Sequence, residues 1–187
     1  MSKKIFITGT GTDVGKTYVT GLIIKKLWGN KRNGAYYKAA MSGNDRRADG
    51  SLLAGDALHV KAVSGIAQPI SEMCPYLYET AVSPHLAARM EGNPVELKRV
   101  LHDFDKVCGR HEYVTAEGSG GIVCPLRFDR QELLLEDFIK ARKLSSLIVT
   151  DAGLGTINAV VLTTEYMKAH QLPVKGIIFN HAAGTVH

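Results

Sequence analysis

Short apolar runs recur along the chain, and each is followed by a loop carrying glycine or a carboxylate and then by a helical stretch. Short apolar runs bounded by turn residues predict buried β-strands, and the longer segments between them predict helices. The predicted strands are residues 4–8, 35–38, 113–117, 147–150 and 174–180. The predicted helices are residues 16–28, 54–64, 84–91, 94–108, 133–143 and 156–170.

The alternation of strands with helices predicts one α/β domain over residues 1–187, in three layers, with a mostly parallel central sheet flanked by helices. In such a sheet, ligands bind beyond the carboxyl ends of the strands. A polar or glycine-rich segment follows each of the five predicted strands, which favours a functional site at this edge. These segments are the glycine loop after the first strand, Lys38 and Ser42 after the second, Glu117 after the third, Asp151 after the fourth and Asn180 after the fifth.

The composition is typical of a domain with a full hydrophobic core, since 45% of the 187 residues are hydrophobic and 22% are charged. Every apolar run is far shorter than the roughly 20 residues that cross a bilayer, and the N-terminus lacks the apolar region of a secretory signal. The three cysteines, Cys74, Cys108 and Cys124, are widely spaced and lack the spacing of metal ligands. We therefore expect a cytoplasmic protein whose cysteines are packing thiols.

The formal net charge of +5 raises the question of nucleic-acid binding. The basic residues are dispersed, and no run interleaves them with aromatic side chains as a single-strand binding groove would. Solvated faces and an anionic small molecule explain the charge better. Neither nucleic acid nor a membrane is an expected partner.

The segment GTGTDVGKT, from Gly9 to Thr17, follows the first predicted strand and leads into the first predicted helix. It resembles a phosphate-binding loop, in which backbone N–H groups and a lysine bind phosphates. The usual spacing would put a glycine at Thr10, but the nearest earlier glycine, Gly9, lies one residue further away. The alternative is a plain strand-to-helix turn, and the run VGKT directly after a strand favours the phosphate loop.

The extra residue widens the loop and should push Thr12 and Asp13 towards the cleft, where a second substrate would meet the terminal phosphate. Lys16 would contact the outer phosphates, and the Thr17 hydroxyl would bind magnesium. A related ATPase subclass carries a second lysine four residues before the loop lysine. That position holds Thr12 here, so this signature is absent.

Two carboxylates and a second lysine belong to the same predicted edge. Glu117 ends an apolar strand and precedes a turn of glycine and serine, which favours a magnesium ligand over a structural role. Asp56 lies near a predicted helix start, where capping or the helix dipole is an equally good explanation. Lys38 ends a strand, and a lysine at such a position is usually a solvated side chain. Because polar residues also follow the other strands, we interpret Lys38 as a second positive charge in the cleft.

The segments GTGTDVGKT, YYKAAMSG, GDAL, VSPHLAARMEG, AEGSGG, CPL, DAGLGTIN and IIFNH occur in this order. Together they span essentially the whole chain and resemble the dethiobiotin synthetase family. The resemblance implies a P-loop NTPase fold and a homodimer with the substrate site at the subunit interface. It also implies that ATP, magnesium and carbon dioxide or bicarbonate close the ureido ring of 7,8-diaminononanoate, giving dethiobiotin, ADP and phosphate.

The resemblance further implies a role for each matching residue. The implied catalytic residues are Lys38, Lys16 and Thr12, and the implied substrate-binding residues are Ser42, Thr12, Lys38 and Asn158. The implied ATP-binding residues are Asp13, Val14, Gly15, Lys16, Thr17, Tyr18, Asp56, Glu117, Gly118, Ser119, Gly120, Asn180 and His181. The implied magnesium ligands are Thr17, Asp56 and Glu117.

Two of these implied roles have structural alternatives. Asn158 would receive the carboxylate of a substrate bound to the neighbouring subunit, and a capped turn is the alternative. Asn180 would recognise adenine, and a buried asparagine that stabilises a turn is the alternative. Family members continue for a few tens of residues beyond the position of His187, which implies that the C-terminal part of the family domain is missing here.

Two other functions are compatible with a phosphate loop. An amide-forming P-loop ligase would need an ammonia source, for which one domain with three unplaced cysteines leaves no room. A nucleotide-dependent switch or partitioning protein favours the additional loop lysine, which is Thr12 here, and leaves Lys38 and Ser42 without a role.

Overall fold

A computed structural model describes residues 2–181, which form nine β-strands, six α-helices and a short 3-10 helix at Ile70–Glu72. The strands are β1 (Lys3–Gly9), β2 (Gly34–Lys38), β3 (Ala40–Met41), β4 (Tyr76–Leu77), β5 (Tyr113–Glu117), β6 (Pro125–Phe128), β7 (Glu132–Leu134), β8 (Ser145–Asp151) and β9 (Val174–Asn180). The helices are α1 (Lys16–Gly29), α2 (Gly55–Ser64), α3 (Pro84–Met90), α4 (Leu97–Arg110), α5 (Leu135–Arg142) and α6 (Thr156–Ala169). None of these helices is long and apolar enough to cross a membrane.

Five strands form the central sheet in the order β2-β5-β1-β8-β9, and every neighbouring pair is parallel. The predicted α/β architecture with a mostly parallel sheet is therefore confirmed. Because parallel strands run in one direction, all five end at the same edge. The phosphate loop follows β1 at the centre of this edge, between β5 and β8.

The sheet is packed on both faces, because successive side chains of a strand point to opposite sides. Phe6 of β1 belongs to the largest buried cluster, in which Phe104 meets Tyr37 at 5.2 Å and Phe138 at 5.0 Å between ring centroids. Ile7, the next residue, packs in a smaller cluster with residues of the phosphate loop and α1. Full burial of a phenylalanine side chain contributes about 1.5–3 kcal/mol, so these rings make the sheet a rigid support for the strand ends.

Four short strands are not predicted from the sequence. β3 pairs with β4 in parallel, and β6 pairs with β7 antiparallel, each in a separate two-stranded sheet. Strands of two to four residues are too short to show a hydrophobic alternation.

The helix predicted over residues 94–108 begins later, at Leu97. Val95 is fully buried, and the backbone N–H of Glu96 donates to the Tyr76 hydroxyl at 3.0 Å. These two contacts hold the preceding segment extended, so the helix starts only after it.

The helix predicted over residues 133–143 also begins later, at Leu135, because Leu133 and Leu134 belong to β7. The backbone N–H of Leu134 donates to the Asp137 carboxylate at 2.8 Å. When the carboxylate of the third helical residue accepts a hydrogen bond from the backbone N–H of the residue just before the helix, the contact is one half of a capping box. This contact fixes the point at which the strand becomes a helix.

Candidate active site

The extra residue of the phosphate loop is tied to the neighbouring strand. The backbone N–H of Thr10 donates to the Val149 carbonyl at 3.1 Å, and the hydroxyls of Thr10 and Thr150 lie 3.0 Å apart. Both partners belong to β8, which pairs with β1. The loop therefore leaves the sheet one residue later than β1 itself ends.

Two residues of the loop adopt left-handed backbone conformations, Asp13 with φ 59° and Gly15 with φ 86°. A Cβ atom at Gly15 would lie 2.0 Å from Nδ2 of Asn180, so glycine is required there for space as well as for conformation. The same Asn180 amide donates to the Val14 carbonyl at 3.1 Å. The end of β9 thus packs against the loop and supports the turn that precedes α1.

The loop lysine, Lys16, is buried and lies inside its own loop, where its Nζ atom donates to the Gly11 carbonyl at 2.7 Å. Burial lowers the pKa of Lys16 below its ordinary value, and the nearby ammonium of Lys38 lowers it further. Because the hydrogen-bond partner of Lys16 is a neutral carbonyl, its ammonium charge is available to an anionic ligand.

Lys38 lies at the centre of a charged network with Asp56 and Glu117. Its Nζ atom is 2.6 Å from Oδ2 of Asp56 and 2.8 Å from Oε1 of Glu117. The second contact follows from the register of the sheet, in which Lys38 of β2 is the partner of Glu117 of β5. Asp56 comes from the first turn of α2. The Thr17 hydroxyl donates to Oε1 of Glu117 at 2.8 Å and so connects the network to α1.

The charges of this network stabilise one another. Burial would lower the pKa of Lys38, but the carboxylates of Glu117 and Asp56 raise it above its ordinary value. Burial would raise the pKa of Asp56, but Lys38 holds it below its ordinary value. The desolvation of a buried ion pair often exceeds its Coulombic gain. The network is therefore poorly explained by stability alone, and its place at the strand ends indicates a functional role.

The oxygen donors of this network fit a magnesium ion that is bound together with phosphates. The Thr17 hydroxyl lies beside the carboxylates of Asp56 and Glu117, and Oε2 of Glu117 is buried without a hydrogen-bond partner. Magnesium takes one or two carboxylates and completes its octahedron with waters and substrate phosphates. Within residues 2–181, no three or more His, Cys, Asp or Glu side chains are grouped so that they could hold a metal ion. The donor set matches a phosphate-linked ion.

Two cavities open at the carboxyl ends of the strands. The phosphate cavity, of about 550 Å³, surrounds the phosphate loop and the charged network. The apolar cavity, of about 890 Å³, lies beside it, and aliphatic side chains dominate its far walls. Those walls include Ala81, Val82, Pro84, Ile122, Val123, Cys124 and Leu162. The two cavities share the wall residues Thr12, Ser42, Ser119 and Gly120.

Among the other predicted residues of the phosphate loop and of the turn after β5, some line the phosphate cavity and others do not. Asp13, Gly15 and Tyr18 line the phosphate cavity. Val14 and Gly118 line neither cavity and pack inward instead. A Cβ atom at Gly118 would lie 3.0 Å from a ring carbon of Phe6, so a larger residue would disturb the core.

Three predicted residues line neither cavity. Asn180 contacts the phosphate loop, and Nδ1 of His181 lies 2.8 Å from Oδ1 of Asp151 at the exposed end of β8. Asn158 is exposed on the first turn of α6. The structure does not bring Asn158 to the cavities of its own chain.

Two residues of the site are missed by the sequence analysis. Asn44 is buried, its amide donates to two backbone carbonyls at 2.9 and 2.8 Å, and its oxygen accepts from the Gly55 N–H at 3.1 Å. It thereby joins the loop that carries Ser42 to the helix that carries Asp56. His59 lines the phosphate cavity. Its spacing of one helical turn from Asp56 is a signal that could have identified it, whereas an asparagine in a loop is too common to single out.

Similarity to known proteins assigns the family. Residues 3–185 match the family model described as "AAA domain". The chain is 47% identical over 181 residues to the ATP-dependent dethiobiotin synthetase BioD of Clostridium botulinum (strain Langeland), covering 97% of this chain and 79% of that protein. The chain belongs to the dethiobiotin synthetase family. The protein of the same name from Brachyspira hyodysenteriae is 49% identical over 181 residues, covering 96% of this chain and 80% of that protein.

Family membership confirms the resemblance seen in the sequence motifs. Among solved structures, the ParA family ATPase from Chlorobium tepidum TLS has a TM-score of 0.56 at 13% identity, covering 99% of this chain and 76% of that chain. A likeness at this identity extends to the fold alone. It supports the predicted P-loop NTPase fold and carries no information on the reaction of the family.

Proposed function

We propose that this chain is an ATP- and magnesium-dependent dethiobiotin synthase, a ligase that forms C–N bonds. It would carboxylate 7,8-diaminononanoate with carbon dioxide and close the ureido ring, giving dethiobiotin, ADP and phosphate. The shared name of the relatives supports the activity. The observation that carries the proposal is the junction of the two cavities, where space for an aliphatic chain opens beside the phosphate cavity that holds Lys16 and Lys38.

The reaction brings two anions together and therefore needs positive charge between them. One amine of the diamine takes up carbon dioxide as a carbamate and loses a proton. A carbamate oxygen attacks the γ-phosphorus of ATP, and ADP leaves. The second amine then attacks the activated carbonyl carbon, phosphate leaves, a proton is lost and the new C–N bond closes the ring.

We assign the positive charge to Lys16 and Lys38. Lys16 would bind the outer phosphates, and Lys38 would lie between the carbamate and the γ-phosphate. The hydroxyls of Thr12 and Ser42 belong to the wall that the two cavities share, so they are suited to hydrogen-bond the diamine or its carbamate. Holding the carbamate in line with the γ-phosphate lowers the entropic part of the barrier.

The proposed magnesium ligands are Thr17, Asp56 and Glu117. Magnesium, when bound, would neutralise the charge of the phosphate oxygens. The protein contributes a preformed donor set, since the Thr17 hydroxyl and the Glu117 carboxylate are already 2.8 Å apart. Little rearrangement of these two side chains is then needed for binding.

We assign the remaining contacts with ATP to the phosphate loop, the turn after β5 and the end of β9. Backbone N–H groups at the start of α1 would bind phosphates, where the helix dipole adds favourable potential. Asn180 and His181 would contact the adenine. The residues proposed to bind ATP are Asp13, Val14, Gly15, Lys16, Thr17, Tyr18, Asp56, Glu117, Gly118, Ser119, Gly120, Asn180 and His181.

We also propose a cytoplasmic homodimer in which Asn158 binds the substrate carboxylate at the neighbouring subunit's site. Asn158 lies beside Ile157, which is 83% exposed, and near Leu154, which is fully exposed. Adjacent large apolar side chains with such exposure are typical of a subunit interface. Sedimentation of the wild-type protein and of Ile157→Asp tests this, and a wild-type monomer at the concentration of the activity assay would overturn it.

The activity is tested by measuring phosphate release from ATP and magnesium with 7,8-diaminononanoate and bicarbonate, and then with each component omitted. We expect release only in the complete mixture, together with dethiobiotin detected by mass spectrometry. Release that does not depend on the diamine would overturn the synthase assignment and would favour a nucleotide-dependent switch.

A further inference from the structure

A polar cluster outside the active site is centred on Glu136 of α5, which is 7% exposed. Its Oε1 atom lies 2.8 Å from Nζ of Lys140. Its Oε2 atom accepts a hydrogen bond from the Tyr166 hydroxyl at 2.8 Å and lies 2.8 Å from Nδ1 of His170. The rings of Tyr166 and His170 stack at 4.0 Å between centroids. Oε1 thus pairs with a residue of α5 itself, and Oε2 joins α5 to Tyr166 of α6 and to His170, which follows the end of α6.

Helix α6 forms one wall of the apolar cavity through Leu162, Thr163 and Tyr166. Its own packing is sparse, since Thr163 and Met167 are its only buried residues. In proteins, helices are held mainly by the packing of an apolar face. Tyr166 packs against the largest buried cluster, to which Met167 belongs, and the hydrogen bond from its hydroxyl to Glu136 adds a directional contact that fixes this wall.

A second wall of the same cavity is attached to the start of α5. This wall is formed by Ile122, Val123 and Cys124. The backbone N–H of Leu135 donates to the Cys124 carbonyl at 3.2 Å. Glu136 is the next residue, so the short segment at the start of α5 holds one wall by its backbone and the other by a side chain.

We propose that Glu136 is a positioning residue for the diamine substrate, because it sets the spacing of these two walls through Tyr166. The proposal rests on the synthase function proposed above. Glu136 lines neither cavity itself, and its partner Tyr166 lines only the apolar cavity, so it acts on the fit of the aliphatic chain and not on phosphoryl transfer. Buried, directional hydrogen bonds of this kind fix side chains within the narrow tolerance that a binding site requires.

The charge of Glu136 is consistent with this role. Burial would raise the pKa of Glu136, but the hydrogen bonds from Lys140, Tyr166 and His170 hold it below its ordinary value. The carboxylate is therefore ionised at neutral pH. Hydrogen bonds to an ionised acceptor are stronger than those between neutral groups, which suits a contact that must hold a wall in place.

The test compares Glu136→Gln and Tyr166→Phe with the wild-type protein. The first removes the charge, and the second removes the hydroxyl but keeps the ring in the cavity wall. Asp105→Asn is the matched control. Asp105 of α4 forms an ion pair at 2.6 Å with Arg142, which lies on α5 as Glu136 does, and Asp105 lines neither cavity. The measurements are kcat, the KM for the diamine, the KM for ATP and the melting temperature.

We expect the KM for 7,8-diaminononanoate to rise about tenfold in both variants, as the loss of a hydrogen bond to a charged group predicts. The KM for ATP and kcat should stay within about twofold of wild type, and Asp105→Asn should change none of the three. A lower melting temperature with an unchanged diamine KM would reduce Glu136 to a structural role and overturn the proposal. So would a fall in kcat alone.

Two further outcomes separate this proposal from the function on which it rests. If turnover of the wild-type protein depends on the diamine but the diamine KM of Tyr166→Phe equals that of wild type, only the positioning role is overturned. Absence of diamine-dependent turnover in the wild-type protein overturns the synthase function and the positioning role with it. Tyr166→Phe decides the question if Glu136→Gln does not fold.

Discussion

The phosphate cavity and the apolar cavity lie side by side at one edge of the sheet, but different forces hold them in shape. In the phosphate cavity, strand register sets the spacing of charged groups, as it does for Lys38 and Glu117. The apolar cavity is bounded by loops and by α6, whose orientation depends on contacts between side chains such as Tyr166 and Glu136. The groups proposed to perform the chemistry are thus placed by the backbone hydrogen bonds of the sheet, whereas the walls proposed to bind the substrate chain are placed by contacts between side chains.

This contrast predicts that changes in the phosphate cavity reduce turnover and that changes in the apolar cavity weaken substrate binding. The largest effect is expected for Lys16→Met, which removes the loop cation. Phosphate release should fall on the order of 10³-fold or more, and calorimetry should show weaker ATP binding. Lys26→Met, an exposed position on α1, is the control and should keep full activity. Full activity of Lys16→Met would contradict the assignment of the phosphate loop.

The next largest effect is expected for Lys38→Met. Turnover should fall about 10²- to 10³-fold, because a charge that stabilises the transition state is lost, while ATP binding stays within a few-fold of wild type. The variant also leaves the buried Glu117 carboxylate without its ammonium partner, which should lower the free energy of unfolding by about 3–5 kcal/mol. Denaturant unfolding and nucleotide titration measure both effects. Unchanged turnover would remove Lys38 from the mechanism.

In the apolar cavity, Val123→Asp should act on binding instead of turnover. Val123 lines this cavity but is 54% exposed, so the variant should fold. A carboxylate beside the aliphatic chain must lose water when substrate binds, and the diamine KM should rise about tenfold with kcat nearly unchanged. The control is Leu22→Asp, on the surface of α1. A large loss of kcat in Val123→Asp would break the proposed division between the cavities.

The smallest effect concerns stability in acid. Because the pKa of Glu136 in the folded protein lies below its ordinary value of 4.5, its contribution to stability is complete above about pH 4.5 and is lost as the pH falls through the folded-state pKa. Wild type should melt about 2–4 °C above Glu136→Gln at neutral pH, for a loss of about 1 kcal/mol. The two melting curves should converge in acid. A difference that stays constant with pH would contradict an ionised Glu136 in the cluster.

The sequence predicted the five main strands and the polar residues that follow them, because apolar runs and turn residues are local signals. It could not predict that Lys38 and Glu117 are neighbours, since that depends on β5 lying between β2 and β1. Asp56 was equally compatible with helix capping until the structure placed its carboxylate 2.6 Å from Lys38. Local patterns give the identity of elements, whereas their order in the sheet depends on packing of the whole chain.

The residues that were missed act over long distances or through common side chains. Asn44 bonds to the backbone of three different segments, and nothing in the sequence around it marks those partners. Glu136 and Tyr166 are 30 residues apart in sequence, and each looks like an ordinary polar position of an amphipathic helix. Such contacts can be found only when the helices are already packed together.

The contact between Asn180 and Val14 joins residues that are 166 positions apart in the chain. During synthesis, the phosphate loop leaves the ribosome well before the strand that supports it has been made. Contacts of such sequence separation form late, because closing a long loop costs entropy before any contact is gained. The nucleotide site should therefore be completed at the end of folding, so that a partly made chain does not yet bind ATP.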